Sequence, residues 1–202
     1  MILFIKFSII YLDYIISNNY YLSKGVIWKN RGGGIHFIIT GGTIDSYYDG
    51  TKDTAVPNKE SIIPSFINSL KLYENTNFTQ ICMKDSRDIT QADLKNIKKS
   101  IEESESKRII ITIGTYTMPD AARYLKQNLQ RHDQTIIFTA SMIPIVGFSP
   151  SDGPFSIGYS IAKSQDLEPG IYVCINGRVF QPEKVVKIIS ESRFASIIGE
   201  KK

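Results

Sequence analysis

The stretch Phe37-Ile38-Ile39-Thr40-Gly41-Gly42-Thr43-Ile44 organises the chain around it. Its β-branched apolar run predicts a buried strand, and the glycines and threonine that follow predict a tight loop at the end of that strand. A similar stretch occurs further along, where Ile109-Ile110-Ile111 leads into Ile113-Gly114-Thr115-Tyr116-Thr117-Met118. Ligands bind at the carboxyl ends of strands in open parallel sheets, so we expect both loops to contribute to one site.

Apolar runs alternate with helical patterns through the rest of the chain. Strands are predicted near residues 36–39, 78–83, 108–113, 135–139 and 171–175, and helices near 58–70, 90–101, 119–130 and 154–163. A short hairpin-like piece is predicted near Val179. The strands are continuous apolar runs, which is typical of strands buried on both faces. We therefore predict an α/β fold in which a mostly parallel sheet lies between two layers of helices.

Composition narrows the possible functions. The chain has 202 residues, is 42% hydrophobic and carries a net charge of +4. Its positive charges are scattered among negative ones, so we expect no nucleic-acid partner. Cys82 and Cys174 lie in apolar runs without nearby histidines, which favours buried reduced thiols over a metal site.

The two ends of the chain differ in composition from its middle. Residues 1–31 form an apolar extension that we interpret as accessory to the function; its run 1–17 is too interrupted by charge for a membrane span. Residues 32–190 form the predicted domain, beginning at a glycine-rich joint. Residues 191–202 are predicted to be a polar tail.

Several polar residues after the strands have two interpretations each. The Gly42 loop exposes amide groups that can hold an oxyanion, with the Thr43 hydroxyl as a nucleophile, or it is a tight turn that Thr43 caps. Thr115 and Thr117 are either catalytic hydroxyls or helix caps. Ser86 and Arg87 either hold a substrate carboxylate or form a polar turn.

Two features near the carboxyl end of the predicted domain also have two interpretations. Asp152 is a plausible cap of the helix that follows it. Lys184 and Lys187 are either solvated charges or partners of a threonine hydroxyl.

Taken in order, these segments resemble the amino-terminal domain of the bacterial-type L-asparaginases (asparaginase/glutaminase family). Residues 38–44 match the first threonine motif of that family, and residues 113–118 look like the second, usually His-Gly-Thr-Asp-Thr-Met. The resemblance continues through 139–144, 151–155 and 170–187, so it covers about residues 35–190. It implies a three-layer sandwich with a Rossmann-like or flavodoxin-like sheet.

The resemblance also implies an activity and a set of roles. The family hydrolyses the side-chain amide of L-asparagine to L-aspartate and ammonia, without metal or cofactor. Thr43 would be the nucleophile, with Thr115 and Lys187 as the pair that helps to activate water or the nucleophile. The residues implied for substrate binding are Gly42, Ser86, Arg87, Gly114, Tyr116 and Ser141.

The chain departs from the family pattern at several points. Tyr116 stands where the family has the aspartate that binds the substrate α-ammonium, and Ile113 stands for its histidine. The loop tyrosine of the family has no clear match, because Tyr47 and Tyr48 lie closer to Thr43 than expected. Tyr116 favours an alternative function, in which the domain is catalytically impaired and acts as a binding module. A nucleotide-binding function lacks the lysine and glycine motifs it requires.

The resemblance further implies how the chain works in the cell. We expect a short-chain, cytoplasmic amidohydrolase that acts on a small asparagine-like amide. We expect it to assemble as a homodimer or homotetramer, so that neighbouring chains complete the site.

Overall fold

The computed structural model describes residues 20–23, 26–29 and 34–197. The chain divides into two units, Met1–Gly32 and Gly33–Lys202. In the first unit, strands Tyr20–Ser23 and Val26–Lys29 form an antiparallel pair. The apolar run 1–17, for which we considered a membrane span, lies outside the described residues, as do residues 198–202 of the predicted tail. No helix among the described residues has the length and apolar character needed to cross a bilayer.

The second unit is built on one six-stranded sheet. Numbered in chain order over both units, the described strands are β1 (Tyr20–Ser23), β2 (Val26–Lys29), β3 (Ile35–Gly41), β4 (Ser46–Asp49), β5 (Thr54–Pro57), β6 (Thr76–Lys84), β7 (Arg108–Thr112), β8 (Thr135–Thr139), β9 (Gly170–Ile175), β10 (Arg178–Phe180), β11 (Val185–Ile188) and β12 (Arg193–Ser196). The helices are α1 (Ile63–Ser69), α2 (Gln91–Glu103), α3 (Met118–Asn128) and α4 (Gly153–Asp166).

The strand order of this sheet is β10-β9-β8-β7-β3-β6. Strands β6, β3, β7, β8 and β9 are parallel, and β10 is an antiparallel edge strand. Counted along the chain, the parallel strands follow the order 2-1-3-4-5 of flavodoxin-like sheets. The predicted α/β fold and the hairpin near Val179 are confirmed.

Helices cover both faces of the sheet because successive side chains of a buried strand point to opposite sides. On one face, Ile109 and Ile111 of β7 pack in a cluster with the buried faces of α2 and α3. On the other face, Ile110 packs in a cluster with residues of α1 and α4. The middle residues of the central strands are thus apolar and buried on both faces of the sheet, as the sequence predicts.

Local sequence signals position the helices. The Thr90 hydroxyl accepts a hydrogen bond from the Asp93 amide, and the Asp93 carboxylate accepts one from the Thr90 amide, forming the predicted capping box. Pro119 lies in the first turn of α3, where its missing amide hydrogen costs nothing.

Cys174 is buried and free, and Cys82 is half-buried and free. Burial raises the pKa of the Cys174 thiol to about 12.

Two segments are more ordered than the sequence indicates. Residues 46–57, expected to belong to a polar loop, form the antiparallel hairpin of β4 and β5. Strand β12 lies within residues 191–202, for which we expected a polar tail. It pairs with β11, and its Phe194 side chain is buried in the core.

Candidate active site

Three strand ends meet at one edge of the sheet, where the connections from β3 and β7 diverge to opposite sides. The Gly42 amide donates to the Lys84 carbonyl at the end of β6 across 2.8 Å. Gly42 has a φ of 80°, and a Cβ on it would lie 2.3 Å from the Gly114 nitrogen. A Cβ on Gly114 would lie 2.5 Å from that of Ser86. Only glycine at both positions lets the three loops approach so closely.

Thr43 begins a short 3-10 turn, Thr43–Asp45, and its side chain is half-buried. This turn is held by the fully buried carboxylate of Asp45. That carboxylate accepts hydrogen bonds from the Asn58 side-chain amide and the Ile62 backbone amide, each across 3.0 Å, and another from the Ser61 hydroxyl. The turn that presents Thr43 is therefore fixed to the segment leading into α1.

Thr115 and Lys187 form a direct contact. The Lys187 ammonium donates a hydrogen bond to Thr115 Oγ1 across 2.6 Å, although the two residues lie far apart in sequence. Thr115 is buried, and Lys187 is half-buried on β11. Of the two sequence interpretations of Lys187, the structure favours the partner of a threonine hydroxyl, whereas Lys184 lies exposed at the end of the preceding 3-10 turn.

The electrostatic environment of Lys187 combines two opposing effects. Burial lowers the pKa of its ammonium, while the negative charge of Asp85 acts to raise it. The Asp85 carboxylate also accepts from the Arg87 amide and side chain, each across 2.9 Å, and the Arg87 side chain lowers the pKa of Asp85. Lys187 thus lies close to a carboxylate that remains ionised at neutral pH.

Ser86 and Arg87 have different surroundings. Ser86 is buried, and its hydroxyl oxygen accepts a hydrogen bond from the Tyr116 amide across 3.2 Å, which leaves the hydroxyl proton available to a ligand. Arg87 is exposed and pairs with Asp85 on its own turn. Its guanidinium is therefore already engaged by a carboxylate of the chain.

The second motif contributes backbone contacts as well as side chains. The Thr117 hydroxyl donates to the Ser86 carbonyl across 2.8 Å and makes no capping hydrogen bond, although Thr117 occupies the N-cap position of α3. The Tyr116 side chain is 58% exposed. The prediction that the Thr117 side chain caps α3 is therefore wrong. Its hydroxyl instead bonds the loop after β7 to the loop after β6.

The loop after β8 is fixed by Asp152. Its carboxylate accepts hydrogen bonds from the amides of Met142 and Ile143, at shortest 2.9 Å each. It makes no capping hydrogen bond to α4, so the expectation that Asp152 caps that helix is wrong. The buried Ser141 hydroxyl donates to the Ile143 carbonyl across 2.6 Å.

A cleft of about 480 Å³ opens beside Thr43. One wall is the β4–β5 hairpin, which contributes Tyr48 and Ala55, and the other is the 142–150 loop, which contributes Ile143 and Phe148. The Tyr48 and Phe148 rings meet edge to face, with centroids 6.4 Å apart. Among the expected site residues, Thr43 is the one that lines this cleft.

Three anchoring carboxylates have roles that sequence reasoning did not identify: Asp45 holds the Thr43 turn, Asp85 acts on Lys187, and Asp152 holds the loop after β8. Asp45 lies two residues after Thr43 and Asp85 directly precedes Ser86, and this proximity is the one sequence signal that could have identified them. The partner of each is far away in the sequence or on another loop, so no local pattern names it.

The fold and this site define an α/β protein in which hydroxyl groups, a half-buried lysine and a cleft lie near the switch point of a flavodoxin-like sheet. Residues 34–197 match the family model described as the amino-terminal domain of asparaginase. The chain belongs to the asparaginase family. No curated protein matches the chain.

Solved structures of L-asparaginases share this fold. The probable cytoplasmic L-asparaginase of Campylobacter jejuni matches with a TM-score of 0.67 at 24% identity, and the match covers 82% of this chain and 53% of the Campylobacter chain. The thermostable L-asparaginase of Thermococcus kodakarensis matches with a TM-score of 0.69 at 24% identity, and the match covers 81% of this chain and 51% of the Thermococcus chain. L-asparaginase I of Vibrio cholerae matches with a TM-score of 0.68 at 21% identity, and the match covers 82% of this chain and 52% of the Vibrio chain. The chain spans about half the length of these proteins.

Proposed function

We propose that the chain is an asparaginase-type amidohydrolase whose nucleophile is Thr43. The reference reaction converts the side-chain amide of L-asparagine to L-aspartate and ammonia. The observation that supports it most strongly is the 2.6 Å contact between Lys187 and Thr115. A half-buried amine against a threonine hydroxyl is an arrangement suited to proton transfer.

In the first step, Thr43 Oγ attacks the amide carbon and a tetrahedral oxyanion forms. The C–N bond then breaks, and ammonia leaves with the proton that Thr43 gives up. Because the Gly42 amide is already bonded to the Lys84 carbonyl, we assign the contact with this oxyanion to the backbone near Thr115. A well-placed donor of this kind contributes about 3 kcal/mol to acyl transfer.

In the second step, water attacks the acyl–threonine ester, releases the carboxylic acid and restores the Thr43 hydroxyl. Thr115 and Lys187 assist proton removal, from water in this step or from the nucleophile in the first. Burial favours the neutral amine that such a base requires, since it lowers the pKa of Lys187. The Ser86 hydroxyl, whose proton is available, would bind a substrate carboxylate.

A second candidate function rests on Tyr116. At the position where the family has an aspartate, this chain has a tyrosine whose side chain is 58% exposed. In this second candidate function, the domain binds an amino acid or a protein and does not hydrolyse it. The Tyr116→Asp variant separates the two: a large gain in turnover indicates an impaired enzyme, and no gain favours the binding module.

Ammonia release from the full chain tests the proposal. We expect release from an amide substrate, at least 100-fold slower release by Thr43→Ala, and slower release by Lys187→Met. Thr51→Ala is the matched control, because Thr51 lies on the exposed turn of the β4–β5 hairpin and bonds only to Asp49 there. Equal rates for Thr43→Ala and the parent would contradict the proposal.

We further propose that the catalytic unit extends from residue 32 beyond the predicted end at residue 190 to include β12, which pairs with the strand that carries Lys187. We propose that it works as a homodimer or homotetramer in the cytoplasm. Sedimentation of the full chain measures the assembly.

A further inference from the structure

The cleft beside Thr43 has the size and composition of a ligand pocket. Its volume of about 480 Å³ lies within the range of small-molecule sites. It opens directly at the proposed nucleophile, so a molecule whose amide lies at Thr43 extends the rest of its structure into this space.

The cleft offers no counter-charge to a charged amine. None of the described residues that line it carries a charge at neutral pH. The carboxylates nearest to the cleft are already engaged. Asp45 is fully buried and accepts three hydrogen bonds, and Asp85 pairs with Arg87. Asp152 accepts from the amides of Met142 and Ile143, and Asp53 accepts from the Tyr48 hydroxyl. An ammonium group placed against these walls loses hydration without gaining a charged partner, so a zwitterionic amino acid fits this space less well than an uncharged group.

The walls of the cleft are instead apolar and partly open. Phe148 is 39% exposed and Ile143 is 37% exposed, while Met142 and Pro144 extend the same surface. Adjacent exposed apolar side chains of this kind mark a surface that binds a partner or ligand. Tyr48 and Phe148 together offer ring edges and faces to a flat apolar group.

We propose that this cleft binds an apolar group attached to the substrate, so that the preferred substrate is a primary carboxamide whose neighbouring nitrogen is acylated and uncharged. This inference rests on the proposed function, because it takes Thr43 as the group that meets the amide. Free L-asparagine is then a poorer ligand than the same molecule carrying an aromatic acyl group.

Binding is measured by titration calorimetry on the full chain carrying Thr43→Ala, which prevents turnover. The ligands are L-asparagine, N-acetyl-L-asparagine and N-benzoyl-L-asparagine. The acetyl compound removes the charge, and the benzoyl compound adds the aromatic group. We expect the benzoyl compound to bind at least tenfold more tightly than asparagine.

The contribution of the cleft is isolated with Phe148→Ala. We expect this variant to weaken benzoyl binding at least fivefold and to leave acetyl binding unchanged. Phe155→Ala is the matched control, because Phe155 is an exposed ring on α4 that stacks on Tyr159 and does not line the cleft. Phe148 lies on a loop and is partly exposed, so both variants are expected to fold.

Equal or tighter binding of asparagine, no binding of any of the three, or equal effects of Phe148→Ala and Phe155→Ala would each overturn the inference. Failure of the proposed function has a different signature. In that case the parent chain binds N-benzoyl-L-asparagine through Phe148 but releases no ammonia from it.

Discussion

The Lys187 ammonium donates a 2.6 Å hydrogen bond to Thr115 Oγ1. Thr115 follows the end of β7, and Lys187 lies on β11, which is paired with β12 outside the main sheet. The lysine thus reaches the switch point from a separate small hairpin, so its position depends on the packing of that hairpin. The buried Phe194, which pairs with Lys187 in register, supports this packing.

Burial has the larger effect on the Lys187 pKa, and the charge of Asp85 opposes it. Because its charge raises the Lys187 pKa, Asp85→Asn lowers that pKa, and the neutral amine is then present at lower pH. We expect the ascending limb of the pH profile of kcat/KM to move to lower pH. Asp88→Asn, which removes a charge from the same turn, is the control, because Asp88 is not among the charges that act on Lys187. An unchanged limb in Asp85→Asn would argue against Lys187 as the base.

The contact between Gly42 and Gly114 is required for the site to form. Gly42→Ala combines an unfavourable φ of 80° with a clash against backbone that cannot move away. Gly147→Ala has a similar φ of 86° but meets nothing within 4 Å. We expect Gly42→Ala to lower the free energy of unfolding by about 2 kcal/mol more than Gly147→Ala. Denaturant titration of both variants measures the difference, and equal losses would refute the close contact.

Substitution by valine is expected to affect stability differently at two threonines on neighbouring strands. Thr40 Oγ1 donates to the Thr112 carbonyl across 2.9 Å, so Thr40→Val loses about 1 kcal/mol of stability. Thr112 Oγ1 is buried with no hydrogen-bond partner among the described residues. Thr112→Val is therefore expected to be neutral or stabilising, by up to about 1 kcal/mol. Urea unfolding of the two variants checks this, and a destabilised Thr112→Val would mean that the hydroxyl is satisfied.

His36 makes stability depend on pH. It is buried and hydrogen-bonded to Ser104 and Thr79, each across 2.8 Å, and burial lowers its pKa. Below a pH of about 6.5, the histidine of the unfolded chain takes up a proton more readily than the buried His36 of the folded chain. The contribution of His36 to folding stability is therefore complete above that pH and declines as the pH falls.

The corresponding measurement is Tm between pH 7.5 and pH 5. We expect His36→Gln to reduce the loss of Tm on acidification relative to the parent, whereas His132→Gln leaves that loss unchanged because His132 is exposed. Indistinguishable slopes for the parent and His36→Gln would contradict the assignment.

The sequence predicts the sheet and its helices well, because each is coded locally. The isoleucine run 109–111 is buried on both faces, and such a run has few structural alternatives to a central strand. The capping box at Thr90 is equally local. By contrast, the β4–β5 hairpin has exposed tyrosines and a four-residue turn, so no alternation of buried and exposed residues reveals it.

The candidate site is only partly predictable for a related reason. Gly42 and Thr115 are marked by their motifs, but the Lys187 contact arises from the way a hairpin folds back on the sheet. Asp152 was expected to cap the helix beside it, yet it binds amides ten and nine residues earlier. Long-range hydrogen bonds of this kind follow from tertiary packing, and a local pattern does not encode them.

The central claim is that the Thr43 hydroxyl attacks the amide carbon, and an acyl group on Thr43 is its most direct sign. Full-length protein turning over an amide substrate is quenched in acid, digested and analysed by mass spectrometry. We predict that the peptide containing Thr43 gains the mass of the acyl group, and that Thr43→Ala shows no such adduct. Ammonia release accompanied by an adduct on Thr115, or by unimpaired turnover in Thr43→Ala, would contradict the account.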